Sequence, residues 1–112
     1  RKWKETHFKN GKREGLRTYW YKSGGKKFEV PYKSGKKEGL RTNWHESGKK
    51  QYEVPYKNGK PEGVLKEWYE SGRKKSIKHF KDKIENGIRK EWDEDGTLLY
   101  QGNYVDGVEE MN

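Results

Sequence analysis

The stretch EGLRTYWYKSGGKKFEVPYKSGKK, residues 14–37, decides the fold, because the chain repeats it. It returns at residues 38–61 as EGLRTNWHESGKKQYEVPYKNGKP, at residues 62–85 as EGVLKEWYESGRKKSIKHFKDKIE, and in a weaker copy at residues 86–109. The residues that recur every 24 positions are Trp20, Trp44, Trp68 and Trp92, and Gly24, Gly48, Gly72 and Gly96. A fixed period of this length indicates a repeat architecture. We therefore predict one domain over residues 1–112, with a half repeat at 1–13 followed by these four repeats.

Composition limits the kind of core that the repeats can build. Of the 112 residues, 27% are hydrophobic, 40% are charged and 14% are aromatic. Aromatic rings at fixed intervals can cover one face of a thin sheet, since each buried ring removes roughly 150–250 Å² from water. The chain has no cysteine, and therefore no disulfide framework, and no apolar run long enough to span a membrane. Because it begins at Arg1 rather than Met, we expect a processed product or a fragment.

Each repeat is predicted to form two short strands joined by tight turns. In the first repeat, residues 15–21 and 26–32 alternate between two kinds of side chain, which is typical of strands. We predict a three-residue hairpin loop at residues 22–24, with Gly24 in the left-handed conformation that such loops favour. Leu16 then lies opposite Val30. The common apolar face formed in this way carries Leu16, Trp20, Phe28, Val30 and Tyr32. The turn at residues 33–35 is predicted to have the same form.

Tight connections make consecutive strands antiparallel neighbours. The predicted fold is therefore all-β: an elongated single antiparallel meander of repeated β-hairpins, without helices. Pro31 and Pro55 cannot donate a ladder hydrogen bond and are expected to end or bend the second strand of their repeats. Residues 82–84 lack the turn glycine, so we expect an irregular loop there. Polar residues replace an apolar pair in the third repeat, and we expect Ile77 to take their place through a local bulge.

The units YKSGKKEGL and YKNGKPEGV, together with the W-Y/H-x-S-G elements, resemble the MORN repeat. They look closest to the bacterial variant found in YwqK-type antitoxin-like proteins. The resemblance covers about residues 3–107, and the third and fourth repeats depart from the pattern at Lys83 and Asn86. It implies an elongated, curved sheet of β-hairpins that binds proteins, attaches to membranes or, in the bacterial group, neutralises a toxin. The family has no shared catalytic residue to carry over.

The aromatic columns are the first candidate site. The predicted partner-binding face consists of Trp20, Trp44, Trp68, Trp92, Tyr32 and Tyr56. We interpret the tryptophans chiefly as core, because a sheet needs one buried face. A sheet of one layer nevertheless leaves the outer side of those rings partly bare, and an exposed aromatic groove is a common interaction surface. A stacking platform for nucleobases is the alternative interpretation.

The basic turns are the second candidate site. One edge carries Lys12, Arg13, Lys33, Lys36, Lys37, Lys57 and Lys60, and the other carries Lys26, Lys27, Lys49, Lys50, Arg73, Lys74 and Lys75. Such residues suit the phosphates of anionic lipids or nucleic acids, although turns are also charged simply because they are solvated.

The charge is divided unevenly along the chain. Residues 1–90 hold 27 basic and 11 acidic residues, and residues 91–112 hold no basic and seven acidic residues, which gives +16 and −7. Head-to-tail self-association of the two ends is therefore one predicted contact. The alternative is that the acidic residues guard the last edge strand.

The three histidines and the remaining polar residues give no sign of catalysis. His7 and His79 share a column but lie three repeats apart, roughly 29 Å at the strand spacing, which is too far to bind one metal ion. His45 stands where Tyr21 and Tyr69 stand, and we interpret all three histidines as solvated. No nucleophile–base pair or phosphate-cradling glycine loop is recognisable. We expect no enzyme, catalytic residue, metal, cofactor or small-molecule substrate.

The sequence therefore predicts a non-catalytic repeat module that mediates protein–protein interaction, with an antitoxin or immunity-like role as its specific form. The alternative is binding of anionic phospholipid headgroups at a membrane surface. The third hypothesis is nucleic-acid binding through the basic turns and the aromatic residues. The period favours a protein partner, because it builds one continuous aromatic face, whereas the net charge of +9 favours the membrane surface.

Overall fold

The computed structural model describes residues 4–110, and Trp3, which the sequence places in the half repeat, lies outside that range. The described residues form strands and turns, without a helix. The strands are β1 (Lys4–Glu5), β2 (Phe8–Lys9), β3 (Lys12–Arg13), β4 (Gly15–Trp20), β5 (Lys26–Lys33), β6 (Lys36–Lys37), β7 (Gly39–Trp44), β8 (Lys50–Lys57), β9 (Lys60–Pro61), β10 (Gly63–Trp68), β11 (Lys74–Lys81), β12 (Ile84–Glu85), β13 (Gly87–Trp92), β14 (Leu98–Val105) and β15 (Val108–Glu109).

Thirteen of these strands form one open antiparallel sheet, which confirms the predicted all-β meander. Its order is β1-β4-β5-β7-β8-β10-β11-β13-β14-β15, and β6, β9 and β12 pair with β5, β8 and β11. β2 and β3 pair separately. The molecule measures 51 × 31 × 12 Å, so it is one sheet thick. Within residues 4–110 no second layer packs on either face.

The loop between the two long strands of a repeat is the predicted three-residue hairpin loop. The amide of Tyr21 donates to the carbonyl of Gly25 at 2.8 Å, and the amide of Gly24 donates to the carbonyl of Tyr21 at 3.0 Å. Gly24 has a φ of 103° and Gly48 a φ of 94°, which confirms the left-handed glycine.

A β-bulge follows this loop and shifts the register by one residue. Trp20 pairs with Lys26, but Tyr19 pairs with Phe28, so Lys27 has no partner in the ladder. Beyond the bulge, Leu16 lies opposite Pro31 rather than opposite Val30. The predicted common face is therefore wrong, because one extra residue moves Phe28, Val30 and Tyr32 to the other side of the sheet. The register shifts at the same place in the other three repeats.

The sheet consequently has two different faces, which we name after their aromatic residues. In the first repeat the Trp face carries Leu16, Thr18, Trp20, Lys26, Glu29 and Pro31, and the Tyr face carries Arg17, Tyr19, Phe28, Val30 and Tyr32. The Tyr face holds the most buried apolar side chains, Val30, Val54 and Tyr32, which are 2%, 5% and 9% exposed. The rings of Tyr19 and Phe28 stack there with their centroids 4.4 Å apart. The core therefore lies on the Tyr face.

The turn that links one repeat to the next differs from the predicted three-residue form. Tyr32 pairs with Lys37 and Lys33 with Lys36, which leaves a turn of two residues, Ser34 and Gly35. These residues have φ values of 51° and 85°, and positive φ at both positions is the signature of a type I′ turn. The same turn recurs at Asn10–Gly11, Asn58–Gly59 and Asp106–Gly107.

The third repeat keeps this geometry although it lacks the glycine, so the predicted irregular loop at residues 82–84 is wrong. Asp82 and Lys83 have φ values of 50° and 74°. Pairing of Lys81 with Ile84 holds the turn closed. Lys83 therefore occupies a left-handed conformation that is costly for a residue with a side chain.

Neighbouring repeats are held together by a short ladder and by side chains. Strands β5 and β7 pair only at Phe28–Asn43 and Glu29–Thr42. A carboxylate at the start of each of the first three repeats accepts from a turn amide 20 residues later: Glu14 from Ser34 at 3.2 Å, Glu38 from Asn58 at 3.1 Å, and Glu62 from Asp82 at 2.9 Å. Asn86, at the equivalent position of the fourth repeat, donates to the side chain of Asp106 at 3.1 Å instead.

Of the two alternatives predicted at Pro31, an end or a bend of the second strand, the structure excludes the end, and the replacement predicted at Ile77 is wrong. Strand β5 continues through Pro31 to Lys33, because the carbonyl of Pro31 accepts from Glu38 and its nitrogen therefore points away from the ladder with β4. In the third repeat, Ile77 lies on the Trp face opposite Lys66 and does not replace the apolar pair. Ser76 occupies the Tyr face at 4% exposure and donates to the carboxylate of Glu67 at 2.9 Å.

Candidate functional site

The Trp face is built from three rows of side chains that run across the strands. Next to the three-residue loops, tryptophans alternate with lysines in the Trp–Lys row, which consists of Trp20, Lys26, Trp44, Lys50, Trp68, Lys74 and Trp92, and ends at Leu98. The ammonium groups of Lys26, Lys50 and Lys74 lie 5.8, 6.0 and 6.0 Å from the ring centre of the next tryptophan. The row is thus a series of cation–π contacts that join one repeat to the next.

The central row of the Trp face changes its chemistry half way along the sheet. Its members, in spatial order, are Thr18, Glu29, Thr42, Glu53, Lys66, Ile77, Lys90 and Gln101. In the first half, Glu29 binds Lys26 at 2.7 Å and Glu53 binds Lys50 at 2.6 Å. In the second half, Ile77 and Gln101 replace the carboxylates, and lysines replace the threonines.

In the third row of the Trp face, which we call the aliphatic row, the apolar residues Leu16, Pro31, Leu40, Pro55 and Val64 are followed by Ile88 between the polar residues His79 and Asn103. Leu16, Leu40 and Ile88 are 47%, 48% and 46% exposed, and Val64 between them is partly buried. The tryptophans of the same face are also only partly buried. An uncovered apolar stripe of this length is the kind of surface that binds a partner.

The two tyrosines of the predicted partner-binding face lie on the opposite side from the tryptophans. Tyr32 and Tyr56 belong to the Tyr face, where Arg13 lies 5.4 Å above the first ring and Lys37 lies 4.9 Å above the second. Burial alone would lower the pKa of Arg17, but its contacts with the hydroxyls of Tyr32 and Tyr19, on the same face, together outweigh burial and raise it. The structure therefore brings the four tryptophans together and separates them from Tyr32 and Tyr56, because of the bulge.

The basic side chains of the predicted turns are arranged differently on the two edges of the sheet. On the edge with the two-residue turns, Lys33 lies directly opposite Lys36, and Lys57 opposite Lys60. Lys37 turns onto the Tyr face beside Tyr56. Like charges directly opposite one another are unfavourable in a ladder, so this edge carries positive charge at some cost in stability.

On the edge with the three-residue loops, the three basic residues of the third repeat point in different directions. Arg73 donates to the carbonyl of Glu94 at 3.2 Å, Lys74 lies over Trp92, and Lys75 lies 5.6 Å from the ring centre of Tyr69 on the other face. Arg73 and Lys74 therefore contact the fourth repeat, Lys75 contacts a ring of its own repeat, and the three do not form one continuous basic surface.

Two of the histidines are bonded to the backbone of the next repeat, so the interpretation of all three as solvated is wrong. His45 shares a hydrogen bond of 3.1 Å with the carbonyl of Trp68, and His79 shares one of 2.8 Å with the carbonyl of Ile88. His7 is exposed and lies 3.6 Å from Glu5. Tyr21 fills the same role as His45 in the first repeat, since its hydroxyl donates to Trp44 at 2.7 Å. Burial, followed by nearby carboxylates, raises the pKa of Tyr21 and keeps that hydroxyl protonated.

The last repeat ends in an edge strand with a polar cluster on its Tyr face. The hydroxyl of Tyr100 donates to the carboxylate of Glu109 and lies 3.0 Å from the hydroxyl of Tyr104. It occupies the space that a side chain at Gly102 would fill. Both contacts raise the pKa of Tyr100 well above its usual value, with the bond to Glu109 as the larger cause.

Within residues 4–110 the structure holds no helix suited by length and apolarity to cross a membrane. The same part of the chain contains no group of three or more His, Cys, Asp or Glu residues arranged to bind a metal ion.

The fold and this surface define an open β-repeat array with uncovered faces. The family model described as a MORN repeat variant matches residues 13–34, 37–58, 61–82 and 85–106. The chain therefore belongs to the MORN repeat family, and MORN repeats are generally non-enzymatic modules that bind proteins or membrane lipids. A comparison with curated proteins gives no match.

Sequence reasoning missed the central row of the Trp face. Lys66, Ile77 and Lys90 lie on three neighbouring strands and were not among the predicted site residues. A signal was present, because the 24-residue columns Thr–Thr–Lys–Lys and Glu–Glu–Ile–Gln both change between the second and third repeats. Only the shifted register shows that these two columns meet.

Proposed function

We propose that this chain is a non-catalytic module that binds another protein along its Trp face. The observation that carries the proposal is the aliphatic row, in which Leu16 and Leu40 are 47% and 48% exposed beside partly exposed tryptophans. The most buried apolar side chains of the sheet, Val30, Val54 and Tyr32, lie on the other face, so the fold has a core that does not depend on covering this row. A contiguous exposed apolar surface of this kind marks an interaction site.

An antitoxin-like role is the specific form that we propose for this binding. It is supported by the resemblance of the repeat unit to YwqK-type antitoxin-like proteins. Binding of one toxin along an extended face would block it by steric cover, and this needs no catalytic group on the array. The role is tested by expressing the binding partner, once it has been isolated by the affinity capture described below, with and without this chain. We expect the partner alone to arrest growth and the chain to restore it.

The protein-binding proposal is tested by affinity capture with matched variants. Wild-type chain, Leu40→Glu on the Trp face, and Lys36→Glu on the turn edge are immobilised and exposed to extract of the cells that encode the chain. We expect one protein to be retained by the wild type and by Lys36→Glu, and to be lost with Leu40→Glu. The purified partner must then bind the wild type in solution. A wild type and a Leu40→Glu variant that retain the same proteins would contradict the proposal.

Binding to an anionic membrane surface is the second candidate, and the edge with the two-residue turns favours it. The lysine pairs Lys9–Lys12, Lys33–Lys36 and Lys57–Lys60 place like charges opposite one another along a single edge. Co-sedimentation with phosphatidylcholine vesicles, with and without phosphatidylserine, at low and high salt, tests this candidate. Salt-sensitive binding that Lys36→Glu weakens and Leu40→Glu preserves would support the membrane and not the protein.

A further inference from the structure

We propose that the partner presents an acidic segment to the second half of the Trp face. This inference rests on the proposed function and specifies the chemistry of the partner. The receiving surface, which we call the basic patch, consists of Lys66, Lys74, Ile77, Lys90, Trp68 and Trp92. It joins three positive charges to three apolar side chains on one side of the sheet.

The register of the strands shows which residues form the centre of the basic patch. Ile77 pairs with Lys66 inside the third repeat and with Lys90 across the boundary to the fourth. Residues that are partners in an antiparallel ladder point to the same face, so the two lysines flank the isoleucine. At the usual strand spacing their backbones lie roughly 9.6 Å apart.

The charge of the basic patch is uncompensated, in contrast to the first half of the same face. There, Glu29 and Glu53 hold Lys26 and Lys50 at 2.7 and 2.6 Å. Ile77 stands in that glutamate column, so Lys74 lacks the equivalent carboxylate.

No ion pair involves Lys66, Lys74 or Lys90 among the residues that the structure describes. Glu53 is the nearest acidic residue in the central row, since it pairs with Lys66 across the repeat boundary. Its carboxylate is already bound to Lys50 and is only 13% exposed. The carboxylates of Glu67 and Glu91 belong to the other face, where they accept from Ser76 and approach Arg89. The basic patch is therefore a positively charged, solvent-facing region of the Trp face.

The shape and the mixed chemistry favour a protein segment over a small ligand. The depression formed by Lys66, Trp68, Lys74 and Ile77 with their neighbours has a volume of about 150 Å³. Pockets for small molecules are usually about 300–1,000 Å³, so this one has room for a side chain and little more. The larger depression beside Lys74 and Trp92, of about 450 Å³, is otherwise lined by the loop residues Gly72, Arg73 and Gly96 and adds no apolar wall beyond the tryptophan. A segment that alternates carboxylates with apolar residues would place the former on the lysines and the latter on Ile77 and the tryptophans.

The test uses two synthetic peptides of equal length, one alternating glutamate with leucine and the other alternating glutamine with leucine. Binding is measured by calorimetry and by tryptophan fluorescence. We expect the glutamate peptide to bind the wild type and the glutamine peptide to bind much more weakly. Ile77→Glu, which restores the carboxylate of the earlier repeats, should weaken the glutamate peptide about tenfold, because several modest charge contacts are lost together.

The chain offers a matched control in the second repeat. The double variant Thr42→Lys, Glu53→Ile gives the central row of that repeat the side chains of the third, and because the new surface adjoins the basic patch through Lys66, we expect the variant to bind the glutamate peptide more tightly than the wild type. Each substitution copies a residue that the same column already carries elsewhere, and melting temperatures verify that the variants fold. Equal affinity of wild type and Ile77→Glu for the glutamate peptide would overturn the proposal.

Further arms of the experiment separate this inference from the proposed function. If Ile77→Glu still binds both the captured partner and the glutamate peptide, the inference of an acidic segment is wrong, while the proposal of protein binding stands. If the glutamate peptide requires the patch but Leu40→Glu retains every captured protein, protein binding along the Trp face fails. A third outcome would assign the basic patch to membranes and overturn the inference. In that outcome the wild type binds phosphatidylserine vesicles, Ile77→Glu does not, and the glutamate peptide binds neither chain.

Discussion

The two faces of this sheet both carry aromatic columns but differ in what covers them. On the Tyr face, Val30 and Tyr32 are 2% and 9% exposed, the guanidinium of Arg13 lies over the ring of Tyr32, and the rings of Tyr19 and Phe28 stack on the same face. On the Trp face, Leu16 and Leu40 remain 47% and 48% exposed, although threonines at the centre of the same face are buried. The comparison teaches that a one-layer repeat sheet can bury one face with its own side chains and leave the other for a partner.

The bulge decides which aromatic residues go to which face. Without the extra residue Lys27, Phe28 and Tyr32 would share a face with Trp20, and the sheet would have one apolar side and one charged side. With it, each face receives both rings and charged residues. The cation–π contacts on both faces follow from this division.

The largest expected difference between the faces is in stability. We expect Tyr32→Ala on the Tyr face to lower the free energy of unfolding by roughly 3–5 kcal/mol, as for other buried aromatic residues. Leu16→Ala, at the half-exposed position of the Trp face, should cost less than about 1 kcal/mol. Urea denaturation of the two variants measures both values. Equal costs would mean that the Trp face is as much a core as the Tyr face.

The three-residue loop sets the strand register and therefore the composition of both faces. Replacement of its glycine is expected to give the second-largest loss of stability. Gly48→Val should destabilise by about 2 kcal/mol, because a β-branched residue resists the positive φ of 94° at this position. No atom lies within 4 Å of the added Cβ, so the cost comes from the backbone alone. Ser47→Ala in the same loop is the control and should change stability by less than about 0.5 kcal/mol. If Gly48→Val leaves the stability unchanged, the left-handed glycine of the loop does not set the strand register.

The two-residue turns give a paired prediction of opposite sign. Lys83→Gly should stabilise the chain by about 1 kcal/mol, since it relieves the left-handed φ of 74°. Gly59→Lys creates the same strain one repeat earlier, where φ is 81°, and should destabilise by a similar amount. Thermal unfolding of the two variants, and of the double variant that exchanges the residues, tests the pair. Shifts of the same sign would contradict a shared turn geometry.

The smallest expected effect concerns pH at the exposed end of the Tyr face. The pKa of Tyr100 is raised in the folded chain, so its protonated form is favoured by folding. Its contribution to stability is therefore complete below the pKa of an unfolded tyrosine and is lost as the pH rises through the folded value. We expect ultraviolet titration to show that Tyr21 and Tyr100 ionise after the other tyrosines, with Tyr100 last, and Tyr100→Phe to remove only the last step. A last step that is unchanged in Tyr100→Phe would assign it to another tyrosine.

Much of the fold could be predicted because the 24-residue period repeats every structural signal. The meander and the glycine loop followed from Trp20, Gly24 and their copies. The type I′ turns also had a signal, since Asn58–Gly59 is a strong two-residue hairpin sequence, but the three-residue form was preferred there. The turn at Lys83 could not be predicted locally, because the neighbouring repeats impose a conformation that lysine disfavours.

The bulge and the site that depends on it could not be predicted in the same way. Lys27 differs from Lys26 in no local property, so the sequence does not show which residue lacks a partner. The four tryptophans were correctly grouped on one face, but Tyr32 and Tyr56 were placed with them. The central row stayed hidden for the same reason, since Lys66, Ile77 and Lys90 become neighbours only in the shifted register.

Head-to-tail self-association stays a prediction, and the structure adds a geometric condition to it. Strand β1 corresponds to β5 of the first repeat 24 residues earlier, and β14 is its counterpart in the last repeat. Both ends of the sheet are therefore formed by second strands, of which β14 carries the two-residue strand β15 at its end, whereas inside the array the second strands pair with first strands and with the short strands β6, β9 and β12. Analytical ultracentrifugation at low and high salt tests this contact, and a concentrated monomer at low salt would exclude it.

The most direct test of the two-face arrangement is the register of β7 against β8. The structure pairs Thr42 with Glu53 and Leu40 with Pro55, which leaves Gln51 without a partner. We expect cross-strand NOEs between the α-protons of these two pairs in solution, since such protons are close in antiparallel strands. NOEs that join Thr42 to Tyr52 and Leu40 to Val54 would show an unshifted register. They would return the tyrosines to the face of the tryptophans and contradict the division into a core face and a binding face.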